Sequence, residues 1–394
     1  MKIAFIGQKG IPAHSGGVER HVDDIATRLA AEGHEAIVYC RGRYARTYEV
    51  LPPEYAHIRL IAIPTIKSKN FEAIIQTLLA TIHALFVRDL DIIHYHGIGP
   101  SLCAWIPRLL KPGTRVIVTF HSQDYESQKW KPLAQLAFRA GEAIACRVAH
   151  EMICVSKGLG RYVKRVYGLN AEVIPNAVAP QTAGSPTLLV DFGLSPHSYI
   201  LCVSRLVPHK RIQDAITAYL QLPADLQARF KLALVGSEPH TLDYQSQLRR
   251  AVHGSENILF LGEVSGERLS SLINHASIFV QASESEGLSY TLLEALMAGV
   301  PVLVSDIAAH REVLLSDEAT FPVRDSGALG AKLFSILLDD GPARLLARRH
   351  RDHVVERYSL DRVFSKILGL YQKEGVLARH GFFPALVRRR ALVS

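Results

Sequence analysis

No run of eighteen apolar residues occurs in the 394-residue chain, and a membrane-spanning helix needs about that many. Cysteine is sparse. The five residues Cys40, Cys103, Cys146, Cys154 and Cys202 form no C-x-x-C pair. That excludes the common zinc and dithiol motifs and leaves reduced thiols in apolar strings, as in a cytosolic protein. The opening stretch MKIAFIGQKG goes straight into a strand and a glycine loop. It lacks the apolar segment and cleavage site of a signal peptide, so a cytoplasmic location is expected. The fixed spacings of the P-loop and of the dinucleotide fingerprint are both missing. No internal repeat, low-complexity segment or nucleic-acid recognition motif is found, so nucleic acid is not an expected partner.

What is present is length, apolar content and uneven charge. The chain is longer than one core usually holds, so two domains are expected. Residues 1–180 carry 22 basic against 15 acidic side chains, residues 181–360 carry 16 against 20, and residues 361–394 carry 7 against 2. A basic first half joined to an acidic second half points to one face meeting an anionic surface, such as a membrane or a lipid pyrophosphate.

Strand and helix patterns alternate along the chain. Lys2–Ile6 reads as a strand, the run from Gly7 to Gly17 as a glycine-rich loop, and the following segment as a helix with Val18, Val22, Ile25, Ala26 and Leu29 on one face. Strand, glycine loop and helix N-terminus can cradle a phosphate, although a tight structural turn reads equally well. Strands follow at 36–39, 58–63, 91–96 and 115–120, with helices at 70–86 and 101–110. This is a doubly wound α/β pattern, whose ligands bind beyond the strand C-termini. His121 opens a loop at one such end, with Asp124 and Trp130 further along it. That loop reads either as a site or as ordinary surface. His94 and His96 fall on one side of a strand without a cysteine or carboxylate at ligand spacing, so they read as structural. A small, proline-containing stretch near 179–186 marks the domain boundary. The expected division is 1–180, 181–358, and a final segment 359–394 of one helix plus a basic, aromatic tail.

Ser277 to Glu312 is the most informative stretch. Ile278-Phe279-Val280 reads as a buried strand, Ser283 to Gly287 as a loop, and Ser289 as the N-cap of a helix stopped at Gly299 before Pro301. Val302-Leu303-Val304 then gives the next strand, completing a βαβ unit. The backbone N–H groups at Gly287, Leu288 and Ser289 would face an anion at the helix start. Glu286 and Glu294 flank that position. Carboxylates repel phosphate but accept well from paired hydroxyls, so the unit reads as a pocket for a phosphorylated, hydroxyl-rich ligand. Two glutamates at this spacing also occur as plain surface charges. Arg205 and Lys210, after the strand at 199–204, can clamp a diphosphate or can simply be solvated.

The stretch E-G-L-S-Y-T-L-L-E-A-L-M-A-G-V-P-V-L-V-S-D resembles the donor-site signature of retaining, family 4 type glycosyltransferases with the GT-B fold, whose pattern is E-x7-E followed by A-x-A-x-G-x-P-V. G-x-x-G-I-P-A-x-x-G-G-x-E near the start, H-S-x-D-x-x-x-x-K-W after His121, and V-x-R-L-x-x-x-K are similar to further elements of a bacterial surface-polysaccharide subgroup. Ala282, Ser122, Ala309-His310 and Arg211 depart from that pattern, the last replacing a glycine. The resemblance implies two Rossmann-like domains facing across a cleft. It implies that Glu286 binds donor-sugar hydroxyls, Glu294 the ribose, and Arg205 and Lys210 the pyrophosphate. Gly16 and Gly17 would face the donor phosphates, and His121 would lie beside the donor sugar. Gly287, Leu288 and Ser289 complete the donor side, with Asp124 and Trp130 on the acceptor side. The implied activity is retaining transfer of a sugar from a nucleotide-diphosphate donor to a glycan or lipid-linked acceptor. No metal or other cofactor is expected, because the Arg/Lys pair can neutralise the leaving group. A nucleotide-sugar epimerase of the same fold and a non-enzymatic nucleotide-sugar sensor are the alternatives.

Overall fold

The computed structural model describes residues 1–373 apart from positions 15, 46–50, 65–71, 124–131, 181, 239–240 and 253. The first half runs β1 (Lys2–Ile6), α1 (Gly17–Ala31), β2 (Glu35–Arg41), α2 (Gly42–Ala45), β3 (Ile58–Ile63), α3 (Glu72–Leu85) and β4 (Ile92–His96). It continues through α4 (Trp105–Leu110), β5 (Arg115–Phe120), α5 (Pro132–Val148), β6 (Glu151–Cys154), α6 (Lys157–Tyr167) and β7 (Glu172–Val173). The second half begins β8 (Tyr199–Val203), α7 (Ile212–Leu220), α8 (Ala224–Arg229), β9 (Lys231–Val235), α9 (Leu242–Ala251), β10 (Ile258–Gly262) and α10 (Gly266–Asn274). It ends β11 (Ile278–Gln281), α11 (Tyr290–Ala298), β12 (Val302–Ser305), α12 (Ala308–Arg311), β13 (Thr320–Phe321), α13 (Ser326–Leu338), α14 (Gly341–Tyr358) and α15 (Leu360–Gln372).

Seven strands form one sheet in the order β3-β2-β1-β4-β5-β6-β7, and six form another in the order β10-β9-β8-β11-β12-β13. Every strand pair is parallel. Parallel sheets need both faces covered, which explains why Ile3, Ala4, Phe5 and Ile6 are buried without alternation. On one face of the first sheet, Ala80, Ala84, Ala104 and Ala145 from α3, α5 and the start of α4 cover Ile6, Tyr39 and Tyr95. On the other, Val22, Ile25 and Leu29 of α1 lie with Phe364 and Ile367 of α15 against Ile3, Phe5 and Val38. In the second sheet, α7, α9 and α13 cover one face and α10, α11 and α14 the other.

α15 therefore packs on the first sheet although it follows the second in sequence. The crossing is pinned by Val178 N–H donating to Tyr358 O (2.9 Å) and Leu360 N–H donating to Val178 O (3.1 Å). Arg28 pairs with Asp361, and Arg115 Nη1 donates to Tyr371 O at 2.8 Å. Among the described residues no helix is long and apolar enough to cross a membrane.

Strand order reverses between β1 and β4 in one sheet and between β8 and β11 in the other. The loops after these strands are where an open α/β sheet binds its ligand. Here the two sets of loops face each other across a cleft.

Candidate functional site

The β11 loop is built around Glu286, whose side chain is only 11% exposed. Its Oε1 accepts from Gln281 Nε2 at 2.7 Å, from Ser283 Oγ at 2.7 Å, and from Lys210 Nζ. Burial alone would push this carboxyl up. The Lys210 ammonium and the hydrogen bonds outweigh it and hold the group down at about 2. Lys210 arrives from the loop after β8, so the two sides of the second switch point meet in one ion pair. His310 is buried nearby, its Nδ1 2.8 Å from Ser305 O, and its charge couples to Glu286. Arg205 stands apart, half exposed, with Nη1 3.6 Å from Glu238 Oε2.

Gly287 packs directly against the first domain. A Cβ there would lie 1.7 Å from His121 O, so any side chain would force the cleft loops apart. The next residue is also clamped, since Asn176 Nδ2 donates to Leu288 O at 2.8 Å. Ser289 then caps α11, its hydroxyl accepting from Leu292 N–H at 3.2 Å. Gly299 ends the helix with φ 71°. Both boundaries fall where the sequence expects them.

Across the cleft, α1 begins directly opposite. Gly16 is its N-cap at φ 98°, and a Cβ there would meet Glu19 Oε2 at 2.1 Å. Glu19 Oε1 accepts from Lys9 N–H at 2.9 Å, and Asp23 Oδ2 accepts from Ala13 N–H at 2.7 Å. Two carboxylates of α1 thus fold the glycine loop back over their own helix start. Gly17 faces Tyr290, and a Cβ on it would be 3.3 Å from that ring. The N-termini of α1 and α11 therefore converge on one place, each with free N–H groups and a positive dipole end. Arg20 Nε lies 3.1 Å from Asp24 Oδ1. Burial, with Asp23 and Glu294 adding repulsion against the pull of Arg20, raises the Asp24 carboxyl to about 7. That coupling places Glu294 of α11 beside the α1 side of the cleft.

His94 and His96 separate in role. Both ring nitrogens of His94 are satisfied, Nδ1 by Tyr371 OH and Nε2 by Thr119 Oγ1, each at 2.7 Å. It is a structural histidine, as its strand position implies. His96 instead meets His121, with Nδ1 3.1 Å from His121 Nε2, and the His21 ring lies 4.9 Å from that of His121. Burial keeps His96 and His121 well below the usual imidazole range.

The structure brings together Gly16, Gly17, His121, Lys210, Glu286, Gly287, Leu288, Ser289 and Glu294. Arg205 stays apart, paired with Glu238, while Asp124 and Trp130 lie outside the described residues. Sequence reasoning missed Asn176, Arg20, Asp24, Tyr290 and His21. Asn176, Tyr290 and His21 have partners far away along the chain, and Arg20 and Asp24, an i,i+4 pair, owe their place in the site to the distant Glu294, so no local spacing marks them. Asp89-Leu90-Asp91 has the D-x-D spacing of some metal sites, but it precedes β4, where Asp91 Oδ2 accepts from Lys2 N–H at 2.7 Å. That is the end of the sheet away from the cleft.

Residues 15–182 match the family model described as Glycosyltransferase Family 4, and residues 194–353 match Glycosyl transferases group 1. The chain is a family 4 type glycosyltransferase. This glycosyltransferase is 29% identical over 381 residues to a phosphatidyl-myo-inositol mannosyltransferase of Mycobacterium leprae, covering 91% of this chain and 93% of that one. Its fold is the GT-B fold. A sucrose-phosphate synthase from Thermosynechococcus elongatus superposes with a TM-score of 0.80 at 22% identity, covering 94% of this chain and 98% of that one. Anabaena Alr3699/HepE in complex with UDP-glucose gives a TM-score of 0.76 at 18% identity, covering 94% and 99% respectively.

Proposed function

We propose that this glycosyltransferase moves a sugar, with retention of anomeric configuration, from a nucleotide-diphosphate donor to a glycan or lipid-linked acceptor in bacterial polysaccharide synthesis. The observation that carries the reading is the convergence of two helix N-termini beside the buried Glu286–Lys210 pair. A diphosphate seated there is met by backbone N–H groups from both domains, and Lys210 and Arg205 neutralise the charge that grows on it as the glycosidic bond breaks. The three hydrogen bonds to Glu286 all fall on Oε1. Oε2 is therefore the atom left to accept from donor-sugar hydroxyls, with His121 on the other side of Gly287. Glu294 accepts from the ribose.

No side chain in this group is set as a nucleophile towards the sugar. The acceptor hydroxyl attacks the anomeric carbon on the face the phosphate leaves, the carbon–oxygen bond to the diphosphate breaks, and the departing phosphate oxygen takes the acceptor's proton. Lys210 and Arg205 supply the positive charge, so the reading needs no divalent ion. The bound UDP-glucose in the Anabaena relative of like fold supports the donor class. The basic balance of the first 180 residues and an exposed apolar face on α3 and α4 support an acceptor met at an anionic membrane surface, the chain remaining cytoplasmic and peripheral.

The test is mass spectrometry and NMR of products formed from a panel of nucleotide sugars with lipid-linked acceptors. Retained α configuration in the product from an α-linked donor is expected. An inverted product would overturn the front-face reading, and release of free nucleotide with an epimerised sugar would replace it with the epimerase.

A further inference from the structure

Three buried imidazoles from three separate elements meet at the floor of the cleft: His21 of α1, His96 at the end of β4 and His121 after β5. Their exposures are 2%, 1% and 8%. One ring nitrogen of each lies within 4.8 Å of the other two. The His96 and His121 nitrogens are already 3.1 Å apart. Two imidazoles bound to one tetrahedral ion at Zn–N distances of about 2.0–2.1 Å stand about 3.4 Å apart. The His21 nitrogen, within 4.8 Å of the other two, has to close in.

Two further observations call for an occupant. Nε2 of His21 is buried with no hydrogen bond of normal geometry, although the Asn176 side chain lies near its ring, an arrangement that costs a protein unless something satisfies it. Burial also keeps the rings neutral, and neutral imidazole is the form that binds metal.

We propose that His21, His96 and His121 form a binding site for a single borderline-soft divalent cation of the Zn²⁺ class. Three neutral nitrogen ligands with no carboxylate disfavour Mg²⁺ and Ca²⁺, which demand oxygen donors. The fourth position stays open to water on the cleft side, reached past His121, the most exposed of the three. The site is not part of the transfer chemistry proposed above. A bound ion fixes the His121 ring that would lie beside the donor sugar, so occupancy inhibits. That consequence alone rests on the role proposed for His121; the binding itself does not.

The experiment titrates the full-length protein with Co²⁺ and reads the visible bands of a four-coordinate site. One equivalent is expected to give those bands, Zn²⁺ to abolish them stoichiometrically, and excess Mg²⁺ to leave them unchanged. His21→Gln should weaken Co²⁺ binding at least tenfold, while His353→Gln, outside the cluster, should not. Thermal melting of each variant checks that it is folded, and His96→Gln serves as the second ligand variant. Wild-type protein without four-coordinate bands, or equal binding by His21→Gln, would overturn the site. Metal binding is read without turnover, so a failure of the glycosyl-transfer reading leaves this result standing. Transfer by the wild type, but not by His21→Gln, should slow when Zn²⁺ is added. Equal slowing in both would overturn the inhibitory consequence while leaving the binding site to the Co²⁺ result.

Discussion

Glu294 is one carboxylate in a crowded electrostatic corner, yet its proposed contact is simple. A charged acceptor that loses its hydroxyl partners costs about 1–3 kcal/mol. Glu294→Ala should therefore weaken binding of the free nucleotide by about fivefold to 150-fold. Calorimetric titration with unchanged affinity would remove the ribose assignment. Lys210 needs a more careful variant, because Lys210→Ala strands the buried Glu286 charge, an unfavourable change of about 3–5 kcal/mol. The double variant Lys210→Ala/Glu286→Gln should regain most of the melting temperature without regaining kcat. Arg205→Ala should lower kcat more than it raises the donor KM, since its partner charge grows only as the bond breaks. A pure KM effect would make it a ground-state binding group. Gly287→Ala tests space rather than charge. With no room for a methyl against His121 O, it should abolish transfer while both sheets stay folded, as circular dichroism would show.

Single elements carry the next layer of consequence. α7 starts from Arg211 at φ 54°, a left-handed position where the resembling motif has glycine. The chain tolerates arginine there because Nη2 and Nε reach Asp214 at 2.7 and 2.9 Å and Nε lies 3.5 Å from Glu284. That substitution is legible in the sequence as a departure, and only the backbone angle explains it. α3 and α4 present a different feature. Ile74, Leu78 and Ile82 recur at helical spacing and are all exposed, with Phe86 at 81% and, on α4, Trp105, Leu109 and Leu110. α4 packs beside both α3 and α5, so these exposed side chains lie on adjacent helices of the basic first domain. A patch of this kind marks an interaction surface. Full-length protein should sediment with anionic vesicles at low salt and less at high salt. Phe86→Ser and Leu110→Ser should reduce that pelleting severalfold without changing the melting temperature. Equal pelleting with neutral vesicles would defeat the electrostatic part. Lys67, Lys69 and Phe71, basic and aromatic positions between β3 and α3, lie outside the described residues.

Across the whole molecule, the two domains are coupled through charge as well as packing. Asp24 keeps its proton to about pH 7 in the closed cleft but releases it near 3.8 when unfolded. Between those values the folded state binds more protons, so this residue makes stability fall as pH rises from about 4 to 7. Asp24→Asn should melt higher than the wild type at pH 8, with the gap closing towards pH 4; a constant gap would show that Asp24 does not titrate there. Glu286 has the opposite sign, and its contribution is lost as pH falls from 4.5 towards 2. Strands such as Ile58–Ile63 and Arg115–Phe120 were legible because each is a short buried run, and α11 because Ser289 and Gly299 bracket it. The Asn176–Leu288 clamp and the three-histidine cluster were not legible, since they join residues on separate elements, 25 to 112 positions apart, that only the sheet order brings together. α15 has a consequence for synthesis. The apolar side of β1 that it covers, with Ile3 and Phe5, leaves the ribosome first, and this cover arrives only after the second domain. At about 5–20 residues per second, the roughly 190 residues between 180 and α15 take about 10–40 s. For that interval this face of the nascent first domain has α1 over it but lacks α15, so part of its apolar surface stays uncovered, and a ribosome stalled before α15 leaves behind a chain more prone to aggregate.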